Sequence, residues 1–476
     1  MTTFSSNISA ARAMFVPLMT VAVPLIINRV GHMTMSLTDT IVAGNLGQVE
    51  LAAVGMGGTT YFFVWIAAMG LLMGIDPVVS QALGRGDHIR ATHGYSTAVW
   101  IAITLGLVLA LYSVHVSAAL LALGYDPWLI SHVDSYLTVM AFGAVPNLFF
   151  LAAATYLSAR ADTRVMATAA VLANIFNLGG NFLFTLGWFG LPKLGVAGIG
   201  LSTILSQFAE AAFVLWVMRR RGPRASTLPA TLRLDPAVFR DTVRLGAPVC
   251  VQYLLEFSGF AAGTFLVARF GAAALGGHHV AMNFAGLTFT AALGVSGAAS
   301  ALVGQATGRG DKEAVRAVAW AAWGSGLVFA TCTAVIMVLG RRWIADVYTD
   351  DPAVLTMAMS FLVLAAFFQL ADTTQAIGFG ICRGMGDTRV PAIINAVAYW
   401  GVGMPAGIYV SFAMMNRPEP IWVGFIVALF AVAAALVVRF NVLLGRLPDH
   451  RLEPVEPLLE GTDVRAEREP DMLREA

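Results

Sequence analysis

Long apolar stretches broken by short polar turns dominate this chain. Runs long enough to cross a bilayer, roughly 20 residues each, begin near Phe15, Leu51, Tyr95, Val133, Val165, Leu194, Val243, Leu275, Val315, Val354, Val390 and Ile421. The pattern predicts an all-α polytopic membrane protein of about twelve transmembrane helices. Composition agrees: 58% of the residues are hydrophobic and 12% charged, with a mean hydropathy of +0.75. A water-soluble globule typically carries about 25% charged residues, so the expected environment is lipid.

The apolar pattern is doubled. Gln81-Ala82-Leu83-Gly84-Arg85-Gly86-Asp87 returns as Gln305-Ala306-Thr307-Gly308-Arg309-Gly310-Asp311, an offset of 224. That offset also pairs Pro24 with Pro248, Gly47 with Gly271 and Leu51 with Leu275. An offset of 225 then pairs Pro127 with Pro352 and Asp162-Thr163-Arg164 with Asp387-Thr388-Arg389. About six helices per copy return the chain to its starting side, so the copies form two six-helix bundles related by a parallel internal repeat, with a substrate site expected between them.

Loop charges set the orientation. Arg85, Arg90, Arg160, Arg164, Arg309, Lys312, Arg316, Arg383 and Arg389 fall in even-numbered connections, as does the central run Arg219-Arg220-Arg221-Gly222-Pro223-Arg224 followed by Arg233, Arg240 and Arg244. Odd-numbered connections carry chiefly Lys193, Arg341, Arg342 and Arg417. The positive-inside rule then places even connections and both termini in the cytoplasm, as in a multi-pass protein of a bacterial inner membrane. The division expected is an N-terminal bundle over 1–218, a cytoplasmic linker over 219–242, a C-terminal bundle over 243–446 and a solvated, disordered tail over 447–476. The N-terminus has no basic leader region or cleavage site, and the first apolar run is expected to remain as helix 1.

Several chemistries lack support. Cys250, Cys332 and Cys382 are too few and scattered for a disulfide framework or a metal site, and are read as packing residues. Neither a P-loop lysine motif, nor HExxH, nor paired CxxC occurs, so ATP-driven and metal-dependent enzymatic chemistry, and a cofactor, are not expected. Nothing points to nucleic acid. Trp128, Trp188, Trp343 and Trp422 lie near predicted outer helix ends, as an interfacial belt requires. The repeated Gly-Arg-Gly-Asp reads as a tight inter-helix turn.

Ionisable residues inside apolar spans are the functional candidates, since a charge at a helix centre costs roughly 2.5 to 3.5 kcal/mol on insertion scales. Helix 1 carries Arg29, His32 and Asp39, helix 2 Asp76, helix 6 Glu210, helix 7 Glu256 and helix 10 Asp372. Gln252, Glu256 and Phe260 share one helical face, as do Gln369, Asp372 and Gln375. Acids flanked by amide oxygens offer hard ligands to a monovalent cation such as Na+, and equally hold protons. Asp39 shares a stripe with Ser36 and His32, and helix 5 offers Asn174, Asn177 and Asn181, either as inter-helix glue or as a conduit wall. Arg29 can neutralise Asp39 or Asp76, and a structural pair with Asp76 is the expectation over a substrate contact. The acids are specific to one copy: in the repeat Glu256 corresponds to His32, Asp372 to Asn147 and Asp39 to Gly263. That asymmetry points to division of labour rather than shared architecture.

These residues resemble the multidrug and toxic compound extrusion (MATE) family, in its bacterial NorM-like branch, over residues 10 to 445. Leu37-Thr38-Asp39-Thr40-Ile41-Val42-Ala43-Gly44 is similar to the family's VDT-x-x-AG. Gly246-Ala247-Pro248 leads to Glu256 at the family spacing, and Asp372-Thr373-Thr374-Gln375 leads to Cys382-Arg383-Gly384-Met385-Gly386-Asp387-Thr388-Arg389, similar to LRG-x-x-DT-[KR]. Asn395, Tyr399, Trp400, Gly403 and Pro405 continue the pattern. Phe368 stands where some relatives carry tyrosine, which removes a phenolic oxygen, and Arg29 and Asp76 are unusual for the family.

The resemblance implies two bundles arranged as a V around a central cavity, and a secondary antiporter that exports amphipathic, cationic organic compounds in exchange for Na+ or H+. It assigns cation coupling to Glu256, Asp372 and Asp39, and neighbouring roles to Asn177 and Asn181. His278 before Val280-Ala281-Met282-Asn283 resembles HQ-x-A-x-N, which makes Asn283 a cavity-lining candidate beside Gln252, Phe260, Gln375, Arg29 and Asp76. One doubled chain suffices to enclose a site, so a monomer is the expected functional unit. The competing reading is a flippase or exporter of a lipid-linked or siderophore-type metabolite; a pyrophosphate carrier would be expected to line its cavity with several cations, of which only Arg29 qualifies.

Overall fold

A computed structural model describes residues 2–220 and 233–447, and among these no strand occurs. The helices long and apolar enough to cross a membrane number 12: α1 (Ala10–Leu46), α2 (Gln48–Gly84), α3 (His88–Ala122), α4 (Pro127–Ala159), α5 (Arg164–Thr185), α6 (Val196–Arg220), α7 (Pro236–Ala268), α8 (Ala272–Arg309), α9 (Lys312–Leu339), α10 (Pro352–Gly384), α11 (Arg389–Met415) and α12 (Glu419–Arg446). Each predicted apolar run is one of these helices. The helices outrun the apolar runs because their ends are polar and hydropathy does not register them. Asp235 caps α7 through a hydrogen bond from the Ala237 amide, with Pro236 in the first turn, and α6 continues to Arg220. The connection between the bundles is therefore shorter than the expected 219–242; its residues 221–232 and the tail from 448 lie outside the described residues.

The repeat is visible in its turns. Gly86 and Gly310 take left-handed backbone (φ 75° and 73°), which glycine adopts without a Cβ clash. The aspartates that follow cap α3 and α9: Asp87 accepts from the Arg90 amide at 2.8 Å, and Asp311 from the Ala314 amide at 2.9 Å. Asp126 and Asp351 likewise precede Pro127 and Pro352 as caps of α4 and α10.

The same heptapeptides also join the two halves. Gln81 Nε2 donates to the Gly384 carbonyl at 2.9 Å, and Gln305 Nε2 donates to the Ala159 carbonyl at 2.8 Å. Gly384 and Ala159 are themselves repeat partners, so each glutamine reaches the opposite half and the two bonds form a reciprocal clasp. Gly84 backs onto the Gln305 carbonyl and Gly308 onto the Gln81 carbonyl, where any Cβ would collide with backbone. Connections 2, 4, 8 and 10 thus meet at one end of the molecule.

Further along the seam α2 lies against α7 through small residues. A Cβ on Gly74 would meet the Thr242 carbonyl and Gly246, and one on Gly246 the Leu71 carbonyl. Close backbone approach of this kind replaces the hydrophobic drive that lipid does not supply. Ile66, Met69, Met73 and Val249 pack there, and the ring of Phe257 meets those of Phe62 and Phe63. On the other side of the seam Gly294 and Gly297 of α8 lie against Ile26 and Leu25 of α1.

One tryptophan departs from expectation. Trp128, Trp188 and Trp343 are exposed, but Trp422 is 0% exposed. It stacks on Phe361 (centroids 5.8 Å apart), and its Nε1 donates to His278 Nδ1 at 3.1 Å, which leaves His278 Nε2 to bond Thr264 Oγ1 at 3.0 Å. A polar partner inside the C-terminal bundle draws this indole away from the interface. Of the cysteines, Cys382 is buried and Cys250 half-buried, whereas Cys332 lies on an exposed face instead of in a packed one.

Candidate functional site

In the N-terminal bundle α1, α5 and α6 converge on Asp39. Its Oδ1 accepts from Asn177 Nδ2 at 3.0 Å and from Asn181 Nδ2 at 2.9 Å, and its Oδ2 accepts from Thr203 Oγ1 at 2.6 Å. All of these residues are buried. Asn181 opens a π-helical turn, Asn181–Thr185, a local widening that recurs at functional sites. Asn174 instead donates to the Gly31 carbonyl at 3.0 Å and acts as a tie between α5 and α1. Thr203 has no sequence signal of its own, since threonines recur throughout the spans and only packing brings this one to Asp39. Nearby, His32 Nε2 lies 3.5 Å from Glu210 Oε1, although among the described residues neither Glu210 oxygen has a hydrogen-bond partner.

The second acid site lies within the C-terminal bundle. Glu256 of α7 is 7% exposed and Asp372 of α10 4%; Gln252, Gln369, Gln375 and Asn395 are buried with them. Gln375 Nε2 donates to Glu256 Oε1 at 3.3 Å, which ties α10 to α7. Asp372 Oδ1, Gln369 Oε1, Gln375 Oε1 and both polar atoms of the Asn395 side chain are buried without a hydrogen-bond partner. Buried polar groups are nearly always satisfied, so an oxygen-rich group left this open is suited to a cation or a proton. Among the described residues no group of three or more His, Cys, Asp and Glu could hold a metal ion. Two carboxylates with amide oxygens nonetheless fit Na+, which takes hard oxygen ligands. Phe260 packs among Phe368, Tyr399 and Phe425 at centroid separations of 5.8, 6.0 and 5.5 Å, forming an aromatic wall one turn from Glu256. Asn283 is exposed on α8 and donates to the His279 carbonyl at 2.9 Å.

The expected Arg29–Asp76 pair is not formed. Asp76 Oδ2 lies 3.3 Å from Arg383 Nε, across the seam between the halves, while Arg29 Nη1 lies 3.9 Å from Met69 Sδ. Arg383 was counted among the cytoplasmic loop charges, yet it is 4% exposed and also donates to Ser300 Oγ at 3.3 Å. Its place in a Gly-rich turn motif hid it: only the crossing of α10 over α2 and α8 encloses it.

Asp39 and the Glu256–Asp372 group therefore form two separate acid sites, one inside each bundle, with Arg29, Asp76 and Arg383 on the seam between them.

The MatE family model matches residues 24–183 and 248–409, one block in each half. Solved structures share the fold. The eukaryotic MATE transporter AtDTX14 superimposes with a TM-score of 0.80 at 16% identity, covering 92% of this chain and 99% of that one. The Vibrio cholerae MATE transporter VcmN in the bent form gives 0.82 at 18% identity over 92% and 98%. An outward-facing multidrug resistance MATE family transporter of the MOP superfamily gives 0.82 at 17% identity over 90% and 96%. Members of this family are transporters, not enzymes, and with its two matched halves this chain belongs to the MatE family.

Proposed function

We propose that this protein is a secondary antiporter of a bacterial inner membrane that expels amphipathic organic compounds in exchange for inward Na+ or H+, working as a monomer with both termini cytoplasmic. The observation that carries this reading is the partner-poor oxygen group around Glu256 and Asp372. Its carboxylates are buried, and either a bound cation or a bound proton removes the cost of holding them charged away from water. An organic cation relies on the same negative charge. Competition then links entry of the coupling ion to release of the substrate, through their unequal affinities for the protein's states. Asp39, whose carboxylate accepts from three side-chain donors, gives the N-terminal half a coupling role of its own.

Proteoliposomes carrying Glu256→Gln or Asp372→Asn, energised separately by a Na+ jump and a pH jump, test this. Each substitution is expected to abolish the response to the coupling ion by at least about tenfold, the equivalent of one lost charged interaction of roughly 1.4 kcal/mol. Export at the parental rate by both variants would move coupling away from this group, and failure of Asp39→Asn alone would move it to the N-terminal half.

A further inference from the structure

At the end of the molecule closed by the glutamine clasp, a cavity of about 480 Å³ lies between the halves. Arg85 and Arg90 enter it from the N-terminal half, and Arg244, Thr388 and Arg389 from the C-terminal half. Its two acids are engaged: Asp241 pairs with Arg90 at 2.6 Å, and Asp387 with Arg439 at 2.6 Å. Among the described residues Arg85, Arg244 and Arg389 make no ion pair; all three are exposed at the cavity's open side, where their guanidinium groups line one space.

The repeat shows that this is not simply what the fold requires. At the equivalent place in the other half, Pro17, Thr20 and Ala314 stand where Asp241, Arg244 and Arg90 stand here. There the helix-start threonine Thr163 donates to the Val21 carbonyl at 3.0 Å and ties α5 to α1. The equivalent pair here is Thr388 and Leu245. Both line the cavity, and the Thr388 hydroxyl, on a residue 3% exposed, has no hydrogen-bond partner. The first turn of α11 is capped by Asp387, whose Oδ1 accepts from the Val390 amide at 3.5 Å, so the Thr388 hydroxyl is not used as a cap. A topological excess of basic residues would account for arginines at this end. It does not account for an unpartnered buried hydroxyl, or for a contact opened in one half and kept closed in the other.

We propose that this cavity binds a phosphate group, held by Arg85 of one half and by Arg244, Arg389 and the Thr388 hydroxyl of the other. Three guanidinium forks and a hydroxyl match the several oxygens of a phosphate, and its charge relieves the repulsion among the arginines. Because its ligands come from both halves, a bound phosphate ties them together at this end. The phosphate belongs either to an anionic lipid headgroup or to a soluble phosphate compound.

The test uses the full-length protein in nanodiscs. In phosphatidylcholine discs, inorganic pyrophosphate is titrated by calorimetry; in a second arm, phosphatidylglycerol is added to the discs and thermal unfolding is followed. Arg244→Thr, which installs the residue found at the equivalent position, and Arg389→Gln are compared with Arg164→Gln in the other half. Saturable pyrophosphate binding that weakens about tenfold in Arg244→Thr and Arg389→Gln but not in Arg164→Gln supports the site and identifies a soluble source. Lipid stabilisation lost in the same two variants, without pyrophosphate binding, supports it and identifies a headgroup. If neither response depends on Arg244 or Arg389, the arginines serve topology alone and the proposal is overturned. Na+- and pH-driven export is read in parallel, since its failure bears on the coupling sites and not on this cavity.

Discussion

The reciprocal clasp makes a quantitative prediction about the equilibrium that transport requires. The proposed antiport cycle requires the halves to part at the clasped end, which would break both the Gln81–Gly384 and the Gln305–Ala159 bonds. Gln81→Leu or Gln305→Leu keeps the side chain's bulk and removes the donor, leaving a carbonyl on a buried residue unpaired in the clasped state only. An unpaired buried acceptor costs about 1 to 3 kcal/mol, which shifts the open-to-closed ratio by roughly 5- to 150-fold. A thiol at Ser80 reads that ratio. Ser80 is 0% exposed and its side chain abuts Gly304 of the other half, so Ser80→Cys is close in size and is shielded until the halves separate. In a background with the three native cysteines replaced by alanine, maleimide labelling is expected to accelerate by that factor in either variant. Repeat symmetry adds a stricter requirement: the two single variants act about equally. Unchanged labelling in both, or acceleration in one alone, refutes the reasoning.

Two further outcomes follow from buried groups. Arg383→Met strands Asp76 without its cation and is expected to destabilise the protein by about 3 to 5 kcal/mol in detergent unfolding, much of it recovered when Asp76→Leu is added; a double variant as unstable as the single would show that packing around Arg383, not the ion pair, matters. Trp422→Phe removes the donor to His278 Nδ1 inside a closed core and is expected to cost about 1 to 3 kcal/mol by the same assay, whereas an indole in an interfacial belt would tolerate the change.

Much of the candidate site was legible before the fold was known. Glu256, Asp372 and Asp39 stand out because an acid in an apolar span has few reasons to be there, and Asn177 and Asn181 because they repeat on one face of helix 5. Thr203 and Arg383 sit among ordinary neighbours in sequence, and Arg29 and Asp76 are opposite charges within apolar spans that suggest a pair the seam geometry does not make. Gln81 and Gln305 stand out only as members of the repeat, because a repeat reports what the halves share without saying that the shared pieces touch.

The sequence by itself determined the spans, their number, their parallel doubling and the acids that break the apolar pattern, since each depends on local composition along one helix. Tertiary structure alone decided the partners: that Asp39 has three donors, that Asp76 crosses the seam to Arg383, that Trp422 turns inward, and that Thr388 lacks the bond its counterpart Thr163 makes. The physical reason is that periodicity specifies which face of a helix is polar, whereas which helix that face meets depends on close packing at Gly74, Gly84, Gly246 and Gly308, where the absence of a Cβ becomes meaningful only once a second backbone lies against it.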